Sequence, residues 1–405
     1  MSVLSISELD FSKKKALVRV DFNVPMKEDG TITDLMRISE SVPTIRYILD
    51  HGGSVILLSH LGNLEGSSEK NLKRSLKTCG EALSKLLEKE VLFAEDCLGE
   101  ETKTRIETLK PGEVILLENL RFYEAEETPS KDPSFASTLA SYGDLYVNNA
   151  FSACHRNHSS IVSLPAFFPN KAAAGLLIEK EVSALTLLCT DPPKPFHAII
   201  GGSKISSKIG VIEALLTKVD SLYIGGGMAF TFLKVLGHPI GASLFEPNFL
   251  QTAQNIIHRC FEKKIKLFLP EDAVAALTFS NDSPKKIVNT LKEGIDEGWK
   301  GMDIGPKTIL SWQQSLQKAV AIFWNGPLGV FEFPQFAEGT FSMIQFLSTL
   351  SSLRIVGGGD SAAAIHELGL AKNFTHISTG GGASLQWIEK GTLPGIEALS
   401  KTSKI

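Results

Sequence analysis

Hydrophobic residues along this chain come in short unbroken runs, each ending in glycine or polar residues and giving way to a helical pattern. In the first part the runs are 16–23 (ALVRVDFN), 54–62 (SVILLSHLG), 113–121 (EVILLENLR) and 144–151 (DLYVNNAF). In the second they are 196–202, 222–227, 321–326, 353–360 and 375–382. Continuous rather than alternating hydrophobicity suits strands buried on both faces, which predicts parallel sheets covered by helices. Between the runs, Ile205, Ile209, Ile212, Leu216 and Val219 recur at three- and four-residue steps, predicting a helix over 205–219. Ile178, Val182 and Leu185 mark another helix across 172–188, and the prolines of 191–195 stop it. The pattern therefore predicts an α/β protein of two similar domains joined by a helix.

Composition changes this picture little. The 405 residues suffice for two or three domains, and 43% hydrophobic residues suffice for their cores. A net charge of −4 with no long basic run excludes a nucleic-acid footprint. Cys79, Cys97, Cys154, Cys189 and Cys260 are odd in number and widely spaced, which predicts free thiols in a reducing compartment. The first fifteen residues lack the apolar core of a secretory signal, and no stretch approaches the ~18 apolar residues of a membrane span. The expectation is a cytoplasmic protein with no membrane partner.

Ligands of open α/β sheets sit beyond the carboxyl ends of the strands, so the residues ending each run carry the chemistry. In the second half those ends are glycine runs at 201–202, 225–227, 357–359 and 380–382. Glycine lets backbone N–H groups approach a ligand closely, although strand-to-helix turns often use it for geometry alone. Neither G-x-x-x-x-G-K-[ST] nor G-x-G-x-x-G is present in these runs. Lys204 and Lys208 are read as lying four apart on one face, in the first turns of a helix. Cations are mildly unfavourable there unless an anion binds, and two solvated surface lysines are the plainer alternative. Asp360 fits either a helix N-cap or a carboxylate holding Mg²⁺. Asn325, with Glu332 beyond it, forms another polar strand end that could meet a base or ribose.

In the first half the strand ends carry Asp21, Asn23, His60, Arg121, His155, Arg156 and His158, with Arg37 opening a helix. Arginine forks match carboxylate and phosphate oxygens, so this rim suits a small anion. Any single histidine here reads equally as a hydrogen-bonded turn residue, and Arg19, inside a strand, as a structural paired arginine. The run Cys154-His155-Arg156-Asn157-His158 offers two possible metal ligands without a second pair. Nor does adjacency in sequence make Cys154 a nucleophile.

RVDFNVP (19–25), SHLG (59–62), LLENLRF (116–122), GG-K---K (201–208), IGGGMAFTFL (224–233), DIGPKT (303–308), WNGPLGVFE (324–332), GGGD (357–360) and STGGGA (378–383) together resemble the phosphoglycerate kinase family. The resemblance runs in family order across nearly the whole chain. It implies two Rossmann-like lobes: 1–171 for the acid substrate, 189–390 for the Mg-nucleotide, a hinge helix at 172–188, and a tail, 391–405, returning to the first lobe. It implies an enzyme passing a phosphoryl group between 1,3-bisphosphoglycerate and ADP after hinge closure, with ATP/ADP and Mg²⁺ and a monomeric state. By motif position, Asp21, Asn23, Arg37, His60, Arg121 and Arg156 correspond to the acid-substrate site. Lys208, Gly301, Glu332, Gly358, Gly359, Asp360 and Ser361 correspond to the nucleotide site, joined by Asn325, with Asp360 on the metal. Arg37 and Lys204 correspond to residues meeting the transferring group.

Two positions depart from the family pattern. Asn63 stands where the family usually has arginine after SHLG, so one phosphate contact is expected to be missing unless Arg74 or another cation compensates. Asn149 stands where the family usually has aspartate. These departures leave a weakened, nucleotide-binding scaffold as an alternative reading. A nicotinamide-dependent dehydrogenase is the other, and it lacks its G-x-G-x-x-G turn.

Overall fold

The computed structural model describes residues 3–63 and 74–400. Described residues of Met1–Ser183 and Thr392–Ile405 form one compact unit, and Ala184–Gly391 form a second. The chain passes from one to the other within the helix Leu176–Thr190.

The first unit is built on a six-stranded parallel sheet. Its strands are β1 (Lys15–Arg19), β2 (Ser54–Leu58), β3 (Val91–Phe93), β4 (Val114–Leu116), β5 (Leu145–Asn148) and β6 (Ala172–Ala174), in the order β3-β4-β2-β1-β5-β6. β2 and β5 are buried throughout, as continuous hydrophobicity requires. Ile45 and Ile48 of helix Val42–Asp50 and Cys79 and Leu83 of helix Lys77–Leu87 complete the core on one face. Because neighbouring strands are parallel, with Arg19 beside Leu58 and Asn148, their carboxyl ends emerge along one rim.

The helix expected over 172–188 starts later: its first three residues are β6, and the helix runs Leu176–Thr190. Three alanines carry no strand signature, and alanine is the best helix former; pairing with β5 overrides that preference. Side chains from elsewhere cap the helix that follows. Leu176 N–H donates to Thr44 Oγ1 (3.0 Å), Leu177 N–H to Asn149 Oδ1 (3.1 Å), and Thr44 Oγ1 to the same Oδ1 (2.8 Å). Asn149 is fully buried, and its Nδ2 has no hydrogen-bond partner among the described residues. The segment after Thr392 packs in this unit too: Gly395 N–H donates to Cys154 O (2.8 Å), and Val3 bridges to Ser400.

The second unit holds another six-stranded parallel sheet. Its strands are β7 (Phe196–Ile200), β8 (Ser221–Ile224), β9 (Lys266–Phe268), β13 (Ala321–Asn325), β14 (Leu353–Gly357) and β15 (His376–Ile377), in the order β15-β14-β13-β7-β8-β9. An antiparallel three-stranded sheet, absent from the sequence reading, lies between β9 and β13 in the chain. It comprises β10 (Asp272–Ala276), β11 (Lys285–Asn289) and β12 (Lys300–Ile304), ordered β11-β10-β12. The helix expected over 205–219 is shorter: a 3-10 turn at Ile205–Ser207 precedes an α-helix at Ile209–Leu215. Glu246 fixes that turn, accepting from Ser206 N–H (3.0 Å) and Ser206 Oγ (2.7 Å). No helix among the described residues is long and apolar enough to cross a membrane.

The helix cap makes Asn149 a stability determinant. Asn149→Ala orphans the Leu177 N–H and the Thr44 hydroxyl, and is expected to lower unfolding free energy by about 2 kcal/mol. Asn149→Asp keeps the oxygen that accepts from both donors, places negative charge at a helix N-terminus and removes the orphan amide, so its urea midpoint stays at or above the parent's. A second expectation concerns acid. Burial pushes His197 down to about 4, against an unfolded value near 6.5. The folded value is the lower one, so this contribution is complete above pH ~6.5 and is lost as pH falls towards about 4, on the order of 2–3 kcal/mol. Urea midpoints at pH 7 and 4.5 should therefore fall less for His197→Phe than for the parent.

Candidate active-site rims

The first unit's rim is assembled by the turns that follow β1, β2, β4 and β5. After β1, Asp21 turns back on itself, with Oδ1 accepting Asn23 N–H (3.0 Å). Its Oδ2 accepts from Arg37 Nη1 and from the Ser152 hydroxyl. Burial alone would raise this carboxyl. The Arg37 charge and these hydrogen bonds outweigh burial and hold it below the usual range. Asn23 Oδ1 accepts Gly62 N–H (2.8 Å), tying the first turn to the second. After β2, Ser59 Oγ accepts Phe22 N–H (2.9 Å) and donates to Val20 O (3.0 Å). Asn119, after β4, fixes the next turn: Oδ1 accepts from Leu61 and Arg121 N–H, while Nδ2 donates to Leu61 O and Arg74 O.

The rim brings together the six residues expected on it, but in different states. Arg156 is exposed and Arg37 half-buried. Arg121 is buried at 3% exposure: Nη1 donates to Gly62 O and to Asn63 Oδ1 (2.8 Å), and Nη2 lies 2.8 Å from Glu127 Oε1. Burial lowers Arg121 from its ordinary value, with Arg156 and Arg19 adding repulsion. Asn63, where arginine was expected, thus accepts a hydrogen bond from Arg121. Arg74 supplies a further cation at the same turn: a Cβ on Gly62 would lie 2.2 Å from Arg74 Nη1, and Gly62 takes φ +64°. Exposed Arg74 makes no ion pair among the described residues.

Beneath the rim lies a fully buried ion pair that the sequence reading did not assemble. Arg19 Nη2 is 3.7 Å from Glu126 Oε1, and neither side chain is exposed. Glu126 sits in Glu124-Ala125-Glu126-Glu127, an acidic run that reads as a solvated face. Cys154 is buried and its thiol pushed up to about 12 by burial, which removes the thiolate a nucleophile needs. Among the described residues, no group of three or more His, Cys, Asp and Glu gathers into a metal cage.

In the second unit, the turns after β7, β8 and β13 are packed backbone to backbone. Gly201 N–H donates to Asn325 O (2.8 Å), Gly202 N–H to Pro327 O (2.9 Å) and Gly226 N–H to Leu328 O (3.1 Å). A Cβ on Gly201 would lie 2.2 Å from Pro327 O, and one on Gly226 2.6 Å from Gly202 O. These glycines let the turns close on one another. Beside them is a cavity of about 730 Å³ lined by Gly202, Gly301, Glu332 and Asp360 together with apolar residues, notably Phe230, Leu244, Phe279 and Met302. Its apolar walls read in sequence as ordinary core, and Gly301 is glycine because a Cβ would lie 1.9 Å from the Phe230 ring.

Lys204 and Lys208 do not share a helix face. Lys204 is extended (φ −129°) and exposed, ahead of the 3-10 turn, while Lys208 immediately precedes the helix Ile209–Leu215. Lys208 Nζ donates to Asn325 Oδ1, and burial lowers this lysine while the Asp360 charge opposes the shift. Asp360 is exposed in the first turn of helix Gly359–Glu367, whose N-cap is Gly358 (φ +99°), so the carboxylate is not the cap. Gly359 faces open space. Ser361 is fully buried, its Oγ accepting Gly326 N–H (2.8 Å), so it braces the neighbouring turn. Asp303, at the cavity wall, accepts N–H from Ile304 (2.9 Å) and Gly339 (2.6 Å), and burial pushes it up to about 8.

Known proteins resemble this chain over nearly its whole length. The family model for phosphoglycerate kinase matches residues 6–391. Phosphoglycerate kinases from Moorella thermoacetica and Borrelia hermsii are each 46% identical over 401 residues, covering 99% of this chain and 100% of theirs. The solved structure of phosphoglycerate kinase from Coxiella burnetii superposes with a TM-score of 0.86 at 36% identity, covering 100% of both chains. That of Phosphoglycerate Kinase from Pyrococcus horikoshii gives 0.84 at 30%, covering 98% of both. With the family model spanning nearly the whole chain and relatives this similar matched end to end, the chain belongs to the phosphoglycerate kinase family of carboxyl-accepting phosphotransferases.

Proposed function

We propose that this chain transfers a phosphoryl group reversibly between 1,3-bisphosphoglycerate and ADP, giving 3-phosphoglycerate and ATP. The observation carrying this is the cation-rich rim of the first unit, with Arg37, Arg74 and Arg156 outside the buried layer, on a chain that the family model matches over residues 6–391. In the direction of ATP use, a carboxylate oxygen of 3-phosphoglycerate attacks the γ-phosphorus, and the bond to the ADP oxygen breaks. A carboxylate is ionised near neutrality, with an ordinary pKa of about 4, so no general base is required. The chain's task is alignment and positive charge. Arg37, held by Asp21, and Lys204 supply that charge to the migrating group. Asn23, His60, Arg121 and Arg156 complete the acid site.

The nucleotide would occupy the cavity of the second unit, its base against the apolar walls and its phosphates towards Lys208 and the helix N-terminus at Gly358 and Gly359. The donor set fits Mg²⁺, which takes one or two carboxylates plus nucleotide phosphates: Asp360 would hold it, and it would neutralise phosphate charge. Arg74 takes over the phosphate contact that Asn63 does not make.

Activity is tested with 3-phosphoglycerate and Mg-ATP, following ADP formation. Lys204→Ala is expected to lower kcat roughly 10²–10³-fold. Asp360→Ala should weaken ADP binding in Mg²⁺ with little effect in its absence, read by calorimetry. Full activity in both variants would refute the assignments. Removing Arg74 deletes a charge-assisted hydrogen bond of about 1.5–3 kcal/mol, so Arg74→Ala should raise KM for 3-phosphoglycerate roughly 10–100-fold with kcat little changed. An unchanged KM would leave Arg74 outside the site.

A further inference from the structure

His60 ends the turn after β2 at 5% exposure, and its Nδ1 lies 3.1 Å from Arg19 Nη2. A guanidinium has donors only and stays protonated. Nδ1 must therefore be the acceptor, and the ring proton sits on Nε2. Arg19 cannot turn away from this task. Its Nε donates to Ser160 Oγ (2.8 Å) and its Nη1 to Val20 O. Ser160 Oγ donates in turn to Glu126 Oε1 (2.6 Å), while Glu126 Oε2 accepts Ser160 N–H (3.0 Å). The charge of Arg19 is balanced by Glu126 within the same buried layer.

We infer that Arg19, braced by Ser160 and Glu126, is a positioning residue that locks His60 as a neutral Nε2–H donor to the bound acid. The inference rests on reading this rim as the acid-substrate site. Protonating His60 would point a second N–H at a guanidinium and set two cations together inside the protein. The groups facing His60 are Arg19, Asp21, Arg121 and His158. Asp21 alone favours the cation, and its charge is already engaged by Arg37 and Ser152. Burial, followed by Arg19, drives the ring well below the ordinary histidine range. The consequence is functional. An imidazolium would draw any small anion, whereas a neutral donor of fixed direction recognises an acceptor oxygen by position, and keeps doing so through the pH range in which histidine ordinarily switches.

The lock is read first in the ligand-free parent protein, by two-bond ¹H–¹⁵N correlation of the histidine rings, with His60→Gln identifying the signal. The expected result is an acceptor-type Nδ1 and a protonated Nε2, unchanged from pH 8 to 5.5. An Nδ1-protonated ring, or a titration inside that range, overturns the inference whatever the substrate. Kinetics give the second readout. Arg19→Met with Glu126→Gln removes the donor without leaving a lone buried charge. The ring is then freed of the Arg19 repulsion while burial still disfavours its cation, so its titration should move up from the parent's and the ratio of variant to parent KM for 3-phosphoglycerate should fall as pH is lowered from 8 to 5.5. A variant whose His60 signals keep the parent's tautomer and titration means a purely structural Arg19 and overturns the inference. If 3-phosphoglycerate binds the parent without moving the His60 signals, the rim is not the acid site, and the donor role falls while the tautomer stands. Should the double variant not fold, the measurement on the parent protein decides.

Discussion

Everything on the first unit's rim rests on how a permanent positive charge is kept inside a parallel sheet. Arg19 ends β1 between β2 and β5, with no exposure, where an unpaired charge would be untenable. Glu126 and Ser160 make it tolerable, and so fix where the turns after β1 and β2 stand relative to the helix carrying Glu126. Ser59, Asn23 and Asn119 then link turn to turn, their side-chain oxygens accepting main-chain N–H groups of the neighbouring turns. The rim is consequently a polar framework carrying Arg37, Arg74 and Arg156 on its outer side, and not a loose collection of arginines.

The second unit solves the same positioning problem by the opposite means. Its turns after β7, β8 and β13 are held by direct backbone contact, which is possible only where glycine removes the side chain. Asn325 and Ser361 contribute from below, one engaging Lys208 and the other Gly326. Asn325 and Ser361, read from sequence as ligand contacts, also hold a neighbouring side chain and turn, a role that spacing along the chain does not carry.

The parallel strands were legible because burial on both faces leaves an unbroken hydrophobic run, and strand ends in such sheets point to the site. The antiparallel sheet was not, since Lys285, Lys286 and Lys300 interrupt any apolar run and β11 is largely solvent-facing. β6 was hidden by three alanines, whose preference is helical. At the sites, Asp21, His60 and Asp360 were visible as polar residues at strand ends. Glu126 was invisible because its burial depends on a partner 107 positions earlier, and the cavity's apolar walls look like any core. Asn149 stands out in sequence only as a departure from a family pattern, because its physical role lies in the hydrogen bonds its carbonyl accepts from Thr44 and Leu177, far away along the chain.

The segment after Thr392 gives the chain an asymmetric biogenesis. Residues emerging after the second unit complete the unit that precedes it, closing over Cys154 through Gly395, where a side chain would strike Ile161 Cγ2 at 2.7 Å. The second unit is contiguous in sequence, so it can finish while the first still waits for its final piece. Synthesis from the N-terminus thus leaves the first unit open longest, and the loop closed by that late contact spans most of the chain.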